Sequence, residues 1–247
     1  MRIAILTDIH SNREALQAVL ADAASCAVNR FAVLGDIVGY GPDPAWCLDT
    51  VADLVAKGAI CVKGNHDEAA VTGPDACYHA DARAAILWTA RQLSEAQKGF
   101  LATLPLRHSE HDVLYVHASA HSSSDWIYVT SAQKAMPSFR VCTERLIFCG
   151  HVHIPALMHC DRGGSVRQIA FPMGKPVPLL RTRRWLAVVG SVGQPRDGSP
   201  LASYAILDHS NNELTFRRVP YDTAATVQKL RAAGLPETLA LRLIRGN

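Results

Sequence analysis

Five short stretches of this 247-residue chain gather groups that could hold a metal or move a proton. They are Asp8-Ile9-His10, Gly35-Asp36, Gly64-Asn65-His66-Asp67, His117, and Gly150-His151-Val152-His153. Asp8, His10, Asp36, Asn65, His117, His151 and His153 supply two carboxylates, one amide oxygen and four imidazoles. One tetrahedral zinc takes fewer donors than that. The set suits two divalent ions sharing a carboxylate, in the mixed nitrogen and oxygen surroundings that manganese, iron, zinc, cobalt or nickel accept. Residues i and i+2 of an extended segment point the same way, so Asp8 and His10 are expected to converge. Glycines 35, 64 and 150 are expected to let backbone pass close to the donors. Singly, each piece is ordinary: Asp-x-His is mostly a surface turn, and Gly-Asp after a strand is mostly a turn as well. The order and company of the five give them weight.

Positioning these groups requires strands, and each stretch follows one. The apolar runs Ile3–Leu6, Phe31–Leu34, Ala59–Val62, Val113–Val116 and Leu146–Cys149 read as strands buried on both faces. Helical patterns lie between them. Ser11-x-x-Glu14 resembles a capping box ahead of Leu16, Val19, Leu20 and Ala23, and a second helix is expected from Pro44 to Lys57. Alternation of strand and helix predicts a mainly parallel sheet, with the donors beyond its carboxyl ends. Tyr78 to Leu104 is alanine-rich and helical, broken at Leu93-Ser94 and stopped at Pro105, and reads as an insertion or cap at about 75–105. Trp185–Val189, Ser203–Leu207 and Leu214–Val219 predict strands of a second sheet, and Thr223 to Arg245 a helix broken at Gly234-Leu235-Pro236. The expectation is one domain over residues 1–247.

Composition removes several classes. The chain is 49% hydrophobic and 19% charged, which excludes disorder. A net charge of +3 gives no reason to invoke nucleic acid or an acidic membrane as main partner. The start lacks a signal-peptide pattern, and no apolar run approaches the length of a membrane span. Seven cysteines without a C-x-x-C pair argue against a disulfide framework or zinc-thiolate cluster and for core residues in a reducing cytosol. A cytoplasmic location is expected.

Together, Asp8-x-His10, Gly35-Asp36, Gly64-Asn65-His66-Asp67, His117 and Gly150-His151-x-His153 resemble the calcineurin-like metallophosphoesterase family. The 190–198 stretch from Gly190 to Gly198 and Tyr40-Gly41-Pro42-Asp43-Pro44 are similar to a bacterial branch of diadenosine-tetraphosphatase-like or phosphodiesterase proteins. The resemblance implies an α/β fold, a four-layer αββα sandwich of two mixed sheets flanked by helices. It implies that Asp8, His10 and His153 hold one ion, that Asn65, His117 and His151 hold a second, and that Asp36 bridges both. His66 would face substrate, with Asp67 orienting or charging it. Two such cations lower the pKa of a shared water and stabilise in-line displacement at phosphorus. A protonated His66 would then act as general acid toward the leaving oxygen. The implied activity is phosphodiester hydrolysis of a small phosphorylated substrate, with nucleotides among the candidates. Dinucleoside polyphosphate hydrolysis, monoester hydrolysis and a non-catalytic metal-binding regulator are the alternatives. Two departures stand out: no arginine follows Gly35-Asp36 as in the family's protein phosphatases, and Val188-Val189 stands where many relatives have Asn-Pro.

Other residues are less committed. Arg196 could approach a substrate phosphate or sit on an exposed turn, and Tyr40 could line the pocket mouth or pack its turn. His121, His79, His108, His111, His159 and His209 read as surface or structural groups, and Arg181, Arg183 and Arg184 as a solvated edge cluster. Trp88 reads as helix core.

Overall fold

Continuous aliphatic runs bounded by glycine and polar turns form the inner strands here, and the amphipathic stretches between them form helices. The computed structural model describes residues 1–76 and 78–247; Cys77 lies outside the described residues. In chain order the elements are β1 (Arg2–Leu6), α1 (Arg13–Ser25), β2 (Arg30–Val33), α2 (Pro44–Ala56), β3 (Ile60–Cys61), α3 (Asn65–Thr72), α4 (Ala80–Gln92), α5 (Glu95–Thr103), β4 (Arg107–Glu110), β5 (Val113–Val116), α6 (Ala132–Val141), β6 (Leu146–Cys149), β7 (Ala156–Cys160), β8 (Val166–Ile169), β9 (Val177–Pro178), β10 (Arg184–Val188), β11 (Ala202–Asp208), β12 (Glu213–Val219), α7 (Thr223–Ala232) and α8 (Glu237–Arg245).

Two six-stranded mixed sheets result, in the orders β3-β2-β1-β11-β12-β9 and β4-β5-β6-β10-β7-β8. Alternation along each strand assigns the layers. Ile3 and Ile5 of β1 pack between the sheets with Val113 and Tyr115 of β5 and Phe148 of β6. Ala4 and Leu6 pack on the other side with Leu16 and Val19 of α1 and Leu48 and Val51 of α2. Leu114 and Val116 pack with Ala135 and Phe139 of α6. The order of layers is helix, sheet, sheet, helix.

Several expectations need correction. The five donor-bearing strands are not in one sheet: β1, β2 and β3 belong to the first, β5 and β6 to the second. The parallel pairs β1–β2, β2–β3 and β5–β6 are as expected, yet β1 also pairs antiparallel with β11. The late strands do not build the second sheet alone; β10 enters it while β11 and β12 complete the first. The cap of α1 is Asn12, whose Oδ1 accepts from Ala15 N at 3.1 Å, and Ser11 has left-handed backbone instead. The segment read as an insertion does form α4 and α5, capped by Ser94, and its Leu93, Leu101 and Leu104 join the outer core of the first sheet. Among the described residues no helix is long and apolar enough to cross a membrane.

Candidate metal centre

Most donors leave a strand end through tight left-handed backbone. φ is 52° at Asp8, 48° at His10, 51° at Asp36, 66° at His151 and 64° at His153. This replaces the extended geometry expected for Asp8 and His10: the chain turns at each of them. Such values cost a non-glycine residue roughly 1–2 kcal/mol and persist where the surroundings over-determine them. Here the loops brace one another. Asp8 N donates to the Gly35 carbonyl (3.1 Å), His10 N to the Asp36 carbonyl (2.9 Å) and Gly150 N to the His117 carbonyl (2.8 Å). Gly150 is required for closeness, since a Cβ there would lie 2.6 Å from Asp8 Oδ2. Asn65 opens α3, and His66 N in its first turn donates to Asp36 Oδ1 at 2.8 Å, at the helix end that favours an anion.

The two sheets bring all seven expected donors together, each buried. Asp8, His10 and His153 present ligand atoms within 4.8 Å of one another; so do Asp36, His117 and His151, and so do His10, Asp36 and His66. Asp36 belongs to two of these groups: its Oδ2 is 3.7 Å from His10 Nε2 and 3.3 Å from His117 Nε2.

Hydrogen placement shows what such a pocket lacks. His10 Nδ1 faces the Val38 carbonyl at 3.2 Å, His117 Nδ1 the Leu34 carbonyl at 2.8 Å, and His153 Nδ1 the Gln194 carbonyl at 2.6 Å. A carbonyl only accepts, so each neutral ring carries its hydrogen on Nδ1 and turns a bare Nε2 lone pair inward. His10 Nε2 and His153 Nε2 then face each other at 3.2 Å as two acceptors. Asn65 Nδ2 donates to the Tyr78 hydroxyl at 3.0 Å, which leaves Asn65 Oδ1 pointing at His117 Nε2, 3.2 Å away. His151 Nδ1 is 3.1 Å from the same Nε2. Among the described residues Asp8 Oδ1 makes no hydrogen bond, although His153 Nε2 is 3.3 Å away. Lone pairs that converge with no hydrogens between them call for positive charge, and the residues present fit divalent cations.

The titration pattern shows the same demand for positive charge, met at His117 by a second proton on Nε2. Burial would push His117 down, but the Asp36 and Asp8 carboxylates overcome it and raise the ring to about 9. Burial would raise Asp36, but His117, His66 and His10 hold its carboxyl well below the usual range. Burial, with His117 beside it, pushes His151 down to about 3. His66 is pushed down to about 4, chiefly by burial and against the pull of Asp36. Its Nδ1 has no hydrogen-bond partner among the described residues.

Asp67 is a correction. Its Oδ1 accepts from Ile37 N (2.9 Å) and Val38 N (3.2 Å), and its Oδ2 from Gly64 N (3.0 Å). Among the described residues no hydrogen bond joins it to the His66 ring. The carboxylate is committed to backbone N–H groups and ties the loop after Asp36 to the start of α3. Burial beside Asp36 pushes it up to about 7.

An aromatic rim surrounds the donors. The Tyr40 ring lies 4.6 Å from His10 and 4.4 Å from His66, and the Arg196 guanidinium sits 5.7 Å over Tyr40. Both residues singled out in the sequence therefore reach the rim. Tyr78 meets His66 edge-on at 5.6 Å, Tyr128 stacks on His151 at 4.0 Å and 22°, and Trp126 meets His117 edge-on at 5.8 Å. Sequence reading missed these three. Tyr78 opens an alanine-rich segment without a motif; Trp126 and Tyr128, two aromatics spaced i, i+2 in a polar loop, were the available signal. The carbonyl of Gln194 has no side-chain signature. The arginine cluster lies elsewhere: Arg184 donates to the carbonyls of Phe139 and Cys142 at the end of α6, and Arg183 to His159 Nε2. His121 is exposed and Trp88 packs with α7 and α8.

An αββα sandwich with carboxylates and imidazoles converging from loops of both sheets is built for metal-assisted chemistry. The chain belongs to the calcineurin-like phosphoesterase superfamily, whose domain profile matches residues 1–212. A metallophosphoesterase from Sphaerobacter thermophilus is 38% identical, with a TM-score of 0.88, covering 100% of this chain and 99% of that one. An uncharacterized protein from Methanocaldococcus jannaschii is 35% identical over 254 aligned positions, 99% of this chain and 98% of its own. A hypothetical protein from Pyrococcus horikoshii OT3 shares the fold, with a TM-score of 0.78 at 18% identity over 100% of this chain and 98% of that one.

Proposed function

We propose that this protein is a metal-dependent phosphoester hydrolase acting on phosphodiesters of small molecules. The observation that carries the reading is the pair of inward-facing lone pairs, His10 Nε2 against His153 Nε2, beside Asp8 Oδ1, which makes no hydrogen bond among the described residues. Asp8, His10 and His153 would hold one divalent ion, Asn65, His117 and His151 a second, and Asp36 would touch both. Bound there, such ions supply Lewis acidity, neutralising phosphoryl charge and acidifying water at the site. The chain's own residues do the rest. The Nδ1–H bonds to the carbonyls of Val38, Leu34 and Gln194 fix the three rings so that their lone pairs need no reorganisation. Arg196, above Tyr40, adds fixed positive charge at the rim, where an anionic ester would enter. His66 lies 4.9 Å from His10, ring to ring, and would protonate the leaving oxygen once the bound anion raises its affinity for a proton.

The test is hydrolysis of bis-p-nitrophenyl phosphate by protein supplied with manganese, cobalt, nickel, zinc or iron(II). Turnover should require the ion, and Asp36→Asn should lower it by ~100-fold or more. Folded, metal-loaded protein that leaves every ester intact would instead mark a non-catalytic metal-binding protein.

A further inference from the structure

We infer that Tyr128 is a stacking platform for the base of a nucleoside ester, so that the substrates are nucleoside phosphoesters. This rests on the phosphoester reading above and adds the group on one side of phosphorus. The rim has two unlike ledges, one over each half of the donor set. Over the His10 and His66 half lie Tyr40 and the Arg196 guanidinium. Over the His117 and His151 half lie Trp126 and Tyr128. A phosphoryl group held between the halves presents one substituent to each ledge.

Tyr128 differs from the other rim aromatics. One of its faces is stacked on His151 at 4.0 Å, 22° from parallel, yet the residue is 51% exposed. A large ring with one face covered and about half its surface open has its outer face available for a second ring. Tyr40 is largely covered, between His10 and His66 on one side and the α7–α8 cluster on the other. The loop carrying Tyr128 is held in an unusual shape: Trp126 has φ 50°, uncommon for so bulky a residue, and Val129 is buried. The His151 ring lies between the Tyr128 ring and the candidate donor atoms of its neighbours, so the outer face of Tyr128 stands off from where a phosphoryl group would be held. An aryl group joined directly through the ester oxygen would lie over the donors themselves. A base held off by a ribose reaches farther out. Stacking tolerates any base, so the ledge selects for a nucleoside and not for one particular base.

The test compares two esters with the same p-nitrophenolate leaving group: thymidine 5′-(p-nitrophenyl phosphate) and ethyl p-nitrophenyl phosphate. The wild type should prefer the thymidine ester by ~10-fold or more in kcat/KM. Tyr128→Leu should bring the ratio of kcat/KM for the two esters to about 1, and Tyr128→Phe should keep the preference, because only the ring is needed. No preference in the wild type, or equal losses on both esters in Tyr128→Leu, overturns the proposal but leaves the hydrolase reading intact. Equal preference for phenyl p-nitrophenyl phosphate assigns the ledge to aryl groups and also overturns it. A binding arm needs no turnover: calorimetry on manganese-loaded protein with non-hydrolysable phosphonates of adenosine and of ribose, the bridging oxygen replaced by CH2. The adenosine compound should bind ~10-fold tighter, and Tyr128→Leu should remove the difference. Were no ester hydrolysed, the hydrolase reading would fail while this arm still decided the role of Tyr128, equal binding of the two compounds overturning it.

Discussion

At His66, burial opposes the charge that an acid role requires. The free ring is held near 4, so it rests neutral at neutral pH. An anionic ester in contact restores the balance toward the imidazolium, and the benefit should show where the leaving group is poor. His66→Ala should therefore spare metal content, measured by plasma emission. It should slow alkyl esters at least ~10-fold more than nitrophenyl esters. Equal slowing of both would remove the acid role and leave His66 as a contact. The convergence of the seven candidate donors was legible because side-chain chemistry is written directly in the sequence. The bracing was not. The left-handed turns at Asp8 and His10, and the carbonyls that set the histidine tautomers, belong to backbone, which carries no residue-type signature. Asp67 misled for the same reason: its neighbour in sequence is His66, but its hydrogen-bond partners are the N–H groups of Ile37, Val38 and Gly64.

Among the elements, α7 and α8 lie beyond the 1–212 family match, yet they back the loop that carries Tyr40. Lys229 of α7 donates to Glu14 Oε1 of α1 at 2.5 Å and to Asp43 Oδ2, just before α2, at 2.7 Å. Lys229→Met should lower stability by about 1 kcal/mol, less in high salt, because the amine is partly exposed. The two carboxylates raise the amine above 10.5 against the effect of burial. That stabilisation is complete below 10.5 and is lost as pH rises through the folded value, so urea midpoints of variant and wild type should stay a fixed distance apart through neutral pH. A gap that closed already at neutral pH would refute this. The inner strands β1, β2, β5 and β6 were legible as unbroken apolar runs, since both faces are buried. The edge strands β4 and β8 were not: Arg107–Glu110 alternates toward solvent, Val166–Ile169 exposes Arg167 and Gln168 together, and both read as polar connection.

Across the whole molecule, the sheets must keep their register for the loops of one to meet the loops of the other. One long-range tie between the outer helix layer and the first sheet is Asp22 of α1. Its carboxylate accepts from Tyr204 of β11 (2.6 Å) and from Arg217 of β12 through Nε (2.6 Å) and Nη2 (2.8 Å). The hydrogen bond from Arg217 outweighs burial and holds Asp22 below its ordinary 3.8. Its contribution is therefore present above 3.8 and fades as pH falls through the lower folded value. Asp22→Asn should cost about 1–2 kcal/mol at neutral pH, and denaturation curves should show that cost shrinking only in strong acid. A cost that grew on acidification would contradict the ion pair. Two sheets with helices outside were legible from the apolar runs and turn signals, while the four-layer αββα order came with the family resemblance. How the strands are shared was not, since β11 returns to pair with β1 across nearly the full chain length, a choice made by packing.

The left-handed residues put torsional cost in the same loops that carry the candidate donors. Glycine at Asp8 or Asp36 would relax that torsion but take the acceptor from His151 N or His66 N, so the same two carboxylates that face the candidate cations also tie the loops together.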